Sequence, residues 1–490
     1  MEGNSLPRLG DFHIFQQDNA WYLFLTVQVA VFRIDEKTAI ALQRYETGQQ
    51  PTDKQAQQRL DSAGRFVAEY ASRARQAKPL RTPEDISDKV AGLYLFVCQD
   101  CNLRCSYCYG DEGEYGNRCN MSEETLQQTF NTFYRKRDGK HFLTFFGGEP
   151  LMNFPIMKRT AELCEEKKRA GGADISLGIV TNGTLYNEQI RSFFQEHIDN
   201  VTFSLDGPQE INDIQRISKS GRSVYQSAEK NIRRLTEEGQ FNWAFRSIVT
   251  SHSCDRVEEI FDHLDAFGSG GIGLVDVDVP EEHPLHVSDE QYRHFLDQIV
   301  EVNRKGLKSF LDGDQAVAFE YPFYILFYLI SRSHTLYHCN AGSNLLAVTA
   351  EGDLYPCHRF VGESEFCMGN VSDPQLLERP RYRELRQRFI DLTVDARPFC
   401  RNCWARYLCG GACVKHAWSE QGDLAAPVKR HCLYIKTVVE ALLPELARIM
   451  ADQEQRDTLK TRLARAISHR YGTTTWTDSH DAHTSAHHPR

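Results

Sequence analysis

Short apolar runs separated by amphipathic stretches dominate the middle of the chain. Residues 93–97 are uniformly apolar and predict a buried strand. Residues 142–146, 175–181, 201–205, 243–250 and 272–279 predict further strands. Residues 155–169, 187–195, 224–238 and 257–267 predict the helices between them. This alternation implies an α/β unit over residues 89–315, a parallel sheet with outer helices. Ligands of such sheets sit at the C-terminal ends of the strands, so the loops after the apolar runs are the places to look for chemistry.

The flanks read differently. Residues 21–34 partly alternate and are rich in β-branched and aromatic side chains, which predicts one or two strands. Asp35 is placed to cap a helix running to Tyr45. Residues 55–77 predict a second helix with Leu60, Phe66, Val67 and Tyr70 inward, and Pro79 and Pro83 close this first unit, residues 1–88. Residues 316–450 form a third unit and 451–490 an end piece. Within these, 442–467 predicts a charged amphipathic helix. The polar stretch from Tyr471, with four histidines and little apolar content, predicts disorder.

Composition narrows the class. With 490 residues and 41% hydrophobic side chains the chain is globular and has two to four domains. A net charge of −10 argues against a nucleic-acid scaffold. No apolar run is long enough to span a membrane, and the N-terminus lacks a signal pattern, so a cytoplasmic protein is expected. Fifteen cysteines are many for that compartment, where metal binding is a better reading than disulfides.

Cys101, Cys105 and Cys108 form a C-x3-C-x2-C array just after the 93–97 run. Three thiolates on a short loop can hold three corners of a cubane cluster and leave the fourth iron open to a ligand that is not protein. Four-cysteine zinc sites more often come as two separated pairs. Spacing alone leaves iron–sulfur, zinc and chance open. Gly147-Gly148-Glu149-Pro150, Thr181-Asn182-Gly183 and Ser204-Leu205-Asp206-Gly207 end the next three runs; each taken alone is an ordinary turn. Farther on, Cys339 is followed by twelve residues, Gly352, four residues and Cys357. Cys400, Cys403, Cys409 and Cys413 follow with spacings x2, x5 and x3, and Cys432 closes the set.

The array, with Tyr107 in the aromatic place before its last cysteine, resembles the radical SAM superfamily, and the G-G-E-P and S-L-D-G loops follow in that family's order. The resemblance implies a partial (β/α)6 TIM-like barrel. It also implies a [4Fe-4S] cluster on Cys101, Cys105 and Cys108, with S-adenosyl-L-methionine on its open iron. Gly148 and Glu149 would then hold the methionine amino group. Ser204 and Arg216 would contact the ribose and carboxylate. Arg246 is a further candidate for the carboxylate, against a structural salt bridge.

The seven later cysteines resemble the SPASM extension, which carries two auxiliary [4Fe-4S] clusters. By that correspondence Cys339, Cys357 and Cys413 hold the first, with Cys367 or an open iron as the fourth position. Cys400, Cys403, Cys409 and Cys432 hold the second. Cys98 and Cys119 are expected to be bystanders or redox-sensitive thiols, and Cys164 and Cys254 ordinary core or surface residues.

The first unit resembles the leader-peptide recognition modules of peptide-modifying enzymes; a structural packing layer is the other reading. The family implies a Cys-rich peptide or small protein as substrate, a reductant such as flavodoxin or ferredoxin, and no nucleic-acid or membrane partner. Sulfatase-maturing relatives carry Asp after the cysteine equivalent to Cys357, whereas this chain has His358. The run Gly352–Gly362 instead resembles thioether-forming maturases. A formylglycine-forming maturase and a non-catalytic electron-transfer protein are the alternatives.

Overall fold

A computed structural model of the protein describes residues 8, 10–73, 76–86, 90–134, 140–237, 239–312 and 320–471. Except for Tyr471, the polar tail lies outside the described residues.

The N-terminal unit is an antiparallel sheet of β1 (Phe12–Gln17), β2 (Ala20–Leu25) and β3 (Ala30–Ile34), followed by α1 (Glu36–Glu46) and α2 (Lys54–Arg73). The expected 21–34 segment is thus two strands, and β1 precedes them. Period two explains how the sheet is used. Phe12, Ile14, Leu23 and Leu25 point toward Ala39, Leu42, Ala63 and Val67 in a small separate core. Phe15 and Phe24, on the other face, join the main core. Asp35 caps α1 as expected, its carboxylate accepting from the Thr38 N–H at 3.0 Å, a contact worth about 1 kcal/mol.

Six parallel strands follow: β4 (Gly92–Gln99), β5 (Lys140–Gly147), β6 (Asp174–Thr181), β7 (Asn200–Ser204), β8 (Asn242–Val249) and β9 (Ile272–Asp276). They lie side by side in chain order, β4 to β9, in parallel register. Helices Phe154–Arg169, Glu188–His197, Tyr225–Glu237 and Val257–Asp265 alternate with them. The parallel sheet with outer helices expected from the alternation is therefore present, in the six-stranded arrangement that the family resemblance implies. Phe145, Phe203 and Phe245, one from each of three strands, are buried in the core. The alternate positions, among them Thr144, Gly178, Thr202 and Ala244, line a cavity on the inner face.

The sheet does not stop at residue 315. β10 (Leu345–Val348) pairs in parallel with the free edge of β4, and β11 (Asp353–Tyr355) and β12 (Gly369–Asn370) continue antiparallel. The segment with the second cysteine set thus covers the edge strand that carries the first, which removes an open strand edge. The long helix expected over 442–467 is two helices, Lys429–Ala451 and Gln453–Tyr471. Asp452 is extended between them and accepts from the Gln455 N–H at 3.0 Å, so a capping residue breaks what the pattern presents as continuous. Among the described residues no helix is long and apolar enough to cross a membrane.

Candidate active site

The ends of the barrel strands bring the first cysteine array, Tyr107, Gly148, Ser204, Arg216 and Arg246 to one cavity of about 1180 Å³, whose lining does not include Glu149. β4 ends at Gln99, and the chain turns at once. The Asp100 carboxylate accepts from the Cys101 N–H at 2.9 Å and is itself gripped by Lys219 at 2.8 Å and Arg118 at 2.5 Å. Burial works against its charge, but Lys219 and Arg118 hold its pKa below the ordinary value. The Arg104 and Ser106 N–H groups donate to the Ile217 and Gln215 carbonyls, which fixes the loop against the segment that carries Arg216.

Cys101, Cys105 and Cys108 all line the cavity. Burial pushes the Cys101 thiol up to about 12 and Cys105 to about 11. Thiolates there need a countercharge, and Arg216 acts on both sulfurs in that sense. The Leu103 N–H donates to Cys101 Sγ at 3.4 Å, and Asn182 Nδ2 reaches the same sulfur at 3.8 Å. The glycines beside the array are sterically required. A Cβ on Gly148 would stand 2.1 Å from the Asp100 carbonyl oxygen, and one on Gly113 (φ +88°) 2.9 Å from Cys101 Cβ. Three thiols, N–H donors aimed at a sulfur, a nearby cation and a side-chain-free wall suit an iron–sulfur cluster. Among the described residues no three His, Cys, Asp or Glu side chains converge on a single metal ion. A cubane is held differently, by sulfurs on separate irons.

Glu149 is 1% exposed and accepts from the Leu151 N–H, the Thr181 hydroxyl and the Asn182 N–H at 3.1, 2.9 and 2.9 Å. Burial raises its pKa to about 7. Its carboxylate fastens the end of β5 to the end of β6, and Gly147, Gly148, Thr181 and Asn182 form the cavity wall there.

Tyr107, Ser204, Arg216 and Arg246 also line the cavity. The Tyr107 hydroxyl donates to Asp206 at 2.7 Å and accepts from Arg216. Asp206 is fully buried and accepts in addition from Gln215 at 2.9 Å and the Ile248 N–H at 3.0 Å. Burial opposes charge on Arg216, but Cys105, Tyr107 and Asp206 keep its pKa well above the ordinary value. Sequence reasoning did not single out Asp206 or Gln215. The signal for Asp206 lay in the Ser204–Gly207 turn, where a carboxylate follows the strand end by two residues.

His358 and Arg359 form another part of the same wall, so the cavity reaches the second cysteine region. The His358 ring packs among Tyr94, Phe146 and Tyr109 at centroid distances of 4.5, 4.8 and 6.3 Å. Arg359 donates to Cys413 Sγ at 3.7 Å and pairs with Asp278 just past β9. Burial, then Cys413 and Cys339, push the Cys357 thiol up. Burial, then Cys400 and Cys403, do the same to Cys432. Cys409 is buried and touches His431.

The remaining thiols sit elsewhere. Cys367 donates to the Gly369 carbonyl at 3.8 Å, beside Tyr355. Cys98 lies opposite Asn120 and Cys119 opposite Gln99 on paired strands, which puts the two thiols on opposite faces. Cys164 and Cys254 are buried in the core.

Residues 95–264 match the radical SAM superfamily and residues 339–404 match SPASM, an iron–sulfur cluster-binding domain. The protein therefore has a radical SAM domain followed by a SPASM domain, and those domains imply iron–sulfur clusters and S-adenosylmethionine. It is 29% identical to an uncharacterised protein of Methanocaldococcus jannaschii over 60% of this chain and 94% of that one. A cysteine-type anaerobic sulfatase-maturating enzyme of Clostridium perfringens is 24% identical, over 71% of this chain and 95% of its own. A serine-type anaerobic sulfatase-maturating enzyme of Bacteroides thetaiotaomicron is 28% identical, over 66% and 82%. The structure of anSMEcpe with bound AdoMet shares the fold at a TM-score of 0.64 and 22% identity, covering 78% of this chain and 98% of that one.

Proposed function

We propose that the protein is a radical SAM maturase that forms thioether cross-links, Cys sulfur to an Asp or Glu carbon, in a Cys-rich peptide or small protein. The type is that of the enzyme maturing the γ subunit of quinohemoprotein amine dehydrogenase. The observation that carries the reading is the shared cavity: one space is walled by Cys101, Cys105 and Cys108 on one side and by His358 and Arg359 beside Cys357 on the other. Its volume exceeds the usual range for a single small ligand, about 300–1,000 Å³, which leaves room for a peptide segment beside a cofactor.

When bound, the cofactor and its cluster supply a carbon-centred radical able to take a hydrogen from an unactivated carbon, chemistry beyond acid–base side chains. The chain's residues bind and orient. Cys101, Cys105 and Cys108 hold the first cluster, and Arg216 offsets the charge of its thiolates. Gly147 and Gly148 admit the cofactor to the backbone, with Glu149 beside its ammonium group. Ser204, Arg216 and Arg246 face its ribose and carboxylate, and Tyr107 is fixed by Asp206 and Arg216. Cys339, Cys357 and Cys413 would hold a second cluster, which would supply a site for a substrate sulfur. Cys400, Cys403, Cys409 and Cys432 hold a third. The chain would thus hold three [4Fe-4S] clusters, with a reductant such as flavodoxin or ferredoxin as its electron source in the cytoplasm. Residues 1–88 serve as the recognition module.

The formylglycine reading has equal support from the sulfatase-maturating relatives. His358 packs among aromatic rings at the position where the family resemblance implies an Asp for sulfatase maturation, which favours the thioether reading. Anaerobically reconstituted protein, with S-adenosylmethionine and a reductant, tests both. Formation of 5′-deoxyadenosine with a loss of two hydrogens per link in a Cys-rich partner supports thioether formation. Aldehyde on a sulfatase peptide supports the alternative, and absence of 5′-deoxyadenosine refutes both.

A further inference from the structure

The two auxiliary cysteine sets are joined by direct contact. Cys409 ends the short helix Arg406–Cys409, and Gly410 leaves it at φ +71°. A Cβ on Gly410 would stand 2.3 Å from the Tyr337 carbonyl oxygen and 2.7 Å from the His338 nitrogen. Only glycine lets the Cys409 segment lie against the backbone that leads to Cys339. The side chains repeat the contact, since the His338 and His431 rings meet edge to face with centroids 4.9 Å apart and planes at 85°. Each imidazole immediately precedes a thiol of a different set, His338 before Cys339 and His431 before Cys432. His431 Nε2 lies 3.5 Å from Cys409 Sγ, and that sulfur also faces the Gly411 carbonyl oxygen at 3.1 Å.

We propose that His431 is the hydrogen-bond donor to the Cys409 sulfur and thereby sets the reduction potential of the second auxiliary centre. The inference rests on the assignment of Cys400, Cys403, Cys409 and Cys432 to one cluster. As a ligand Cys409 is a thiolate, which accepts hydrogen bonds and donates none. The Gly411 carbonyl, itself an acceptor, then offers the sulfur nothing. The imidazole meets it through Nε2–H, which fixes the tautomer. An N–H bond to a ligating sulfur draws charge from the cluster and favours its reduced form, so the potential rises. The edge of His338 holds the ring in place, which makes His431 a positioning residue seated where the two sets meet.

The test is potentiometry, followed by electron paramagnetic resonance, on anaerobically reconstituted protein. In H431F, which keeps a ring and loses the donor, the second auxiliary centre moves to a more negative potential. In H431Q, whose amide still donates, it stays near wild type. Full iron content with a wild-type potential in H431F overturns the proposal. If H431F does not assemble that centre, wild-type protein labelled with 15N in histidine alone decides. The reduced centre then shows a histidine nitrogen coupling that H431Q lacks, and absence of that coupling in wild type overturns the proposal. Wild-type protein with no auxiliary iron removes both this inference and the three-cluster reading. An unshifted H431F removes only this one.

Discussion

His13 stacks flat on Trp404, with ring centroids 4.1 Å apart and planes 3° from parallel. Trp404 follows Cys403, so the N-terminal unit rests directly on the segment that carries Cys400 and Cys403. Neighbouring contacts repeat the docking. Thr26 donates to the Trp404 carbonyl at 2.9 Å, and Arg406 pairs with Asp11 at 2.6 Å. His13 also bridges Glu46 in its own unit, at 2.8 Å, and Glu440 in the helix Lys429–Ala451, at 2.9 Å.

The bridge makes docking pH-dependent. Burial disfavours charge on His13, but the bonds to Glu440 and Glu46 outweigh it and raise the pKa above the ordinary 6.5. A group raised on folding contributes fully below its unfolded value, and the contribution fades as pH rises through the folded one. Wild type should therefore exceed His13→Gln in melting temperature most clearly near pH 6, with the gap narrowing at alkaline pH. A gap that does not vary with pH would show that the two carboxylates do not hold a charged imidazole.

Gly148 carries a steric prediction. A Cβ there meets backbone, the Asp100 carbonyl at 2.1 Å, and not the movable end of a side chain. Gly148→Ala must displace the start of the cysteine array, at a cost of about 1–3 kcal/mol. The expected outcome is a lower melting temperature together with loss of S-adenosylmethionine binding by calorimetry. Gly48→Ala, where nothing lies within 4 Å of the added carbon, serves as a control for binding.

The barrel and the cysteine sets were legible in the sequence for different reasons. Strands such as β6 and β8 announce themselves because a strand buried on one face and facing a cavity on the other keeps an apolar signature. The array stood out because its three cysteines lie within one stretch of eight residues, 101–108. The Tyr107–Asp206–Arg216 network was not, because its members are 99 and 109 residues apart and meet only when the loops after two non-adjacent strands, β4 and β7, converge. Nor did any local pattern show that β10 pairs with β4, since that contact joins residues 92–95 to 345–348. The helix break at Asp452 was hidden because the apolar period runs on through a capping residue.

Arg216 is the charged centre of that network. Asp206 is fully buried, and Arg216 approaches it at 3.9 Å with the Tyr107 hydroxyl bonded to both. Arg216→Met leaves a buried carboxylate without its cation, which costs about 3–5 kcal/mol. The measurement is denaturant unfolding under anaerobic conditions. Arg216→Lys keeps the charge but not the planar fork, so it should recover most of the stability while binding S-adenosylmethionine more weakly. Equal stability of Arg216→Met and wild type would contradict the network.

Iron content separates Cys357 from Cys367. The charges of Cys413 and Cys339 act on the Cys357 thiol, whereas Cys367 is turned to the Gly369 carbonyl and lies beside Tyr355. If the first auxiliary cluster sits on the three grouped thiols, Cys357→Ala should lose about four of about twelve irons per chain, and Cys367→Ala about none. The open corner should then bind an added thiol. A shift in the cluster's electron paramagnetic resonance on titration with a cysteine-containing peptide would report it. Loss of about four irons in Cys367→Ala would instead make that cysteine the fourth ligand, and a substrate sulfur would have no iron on this centre to bind.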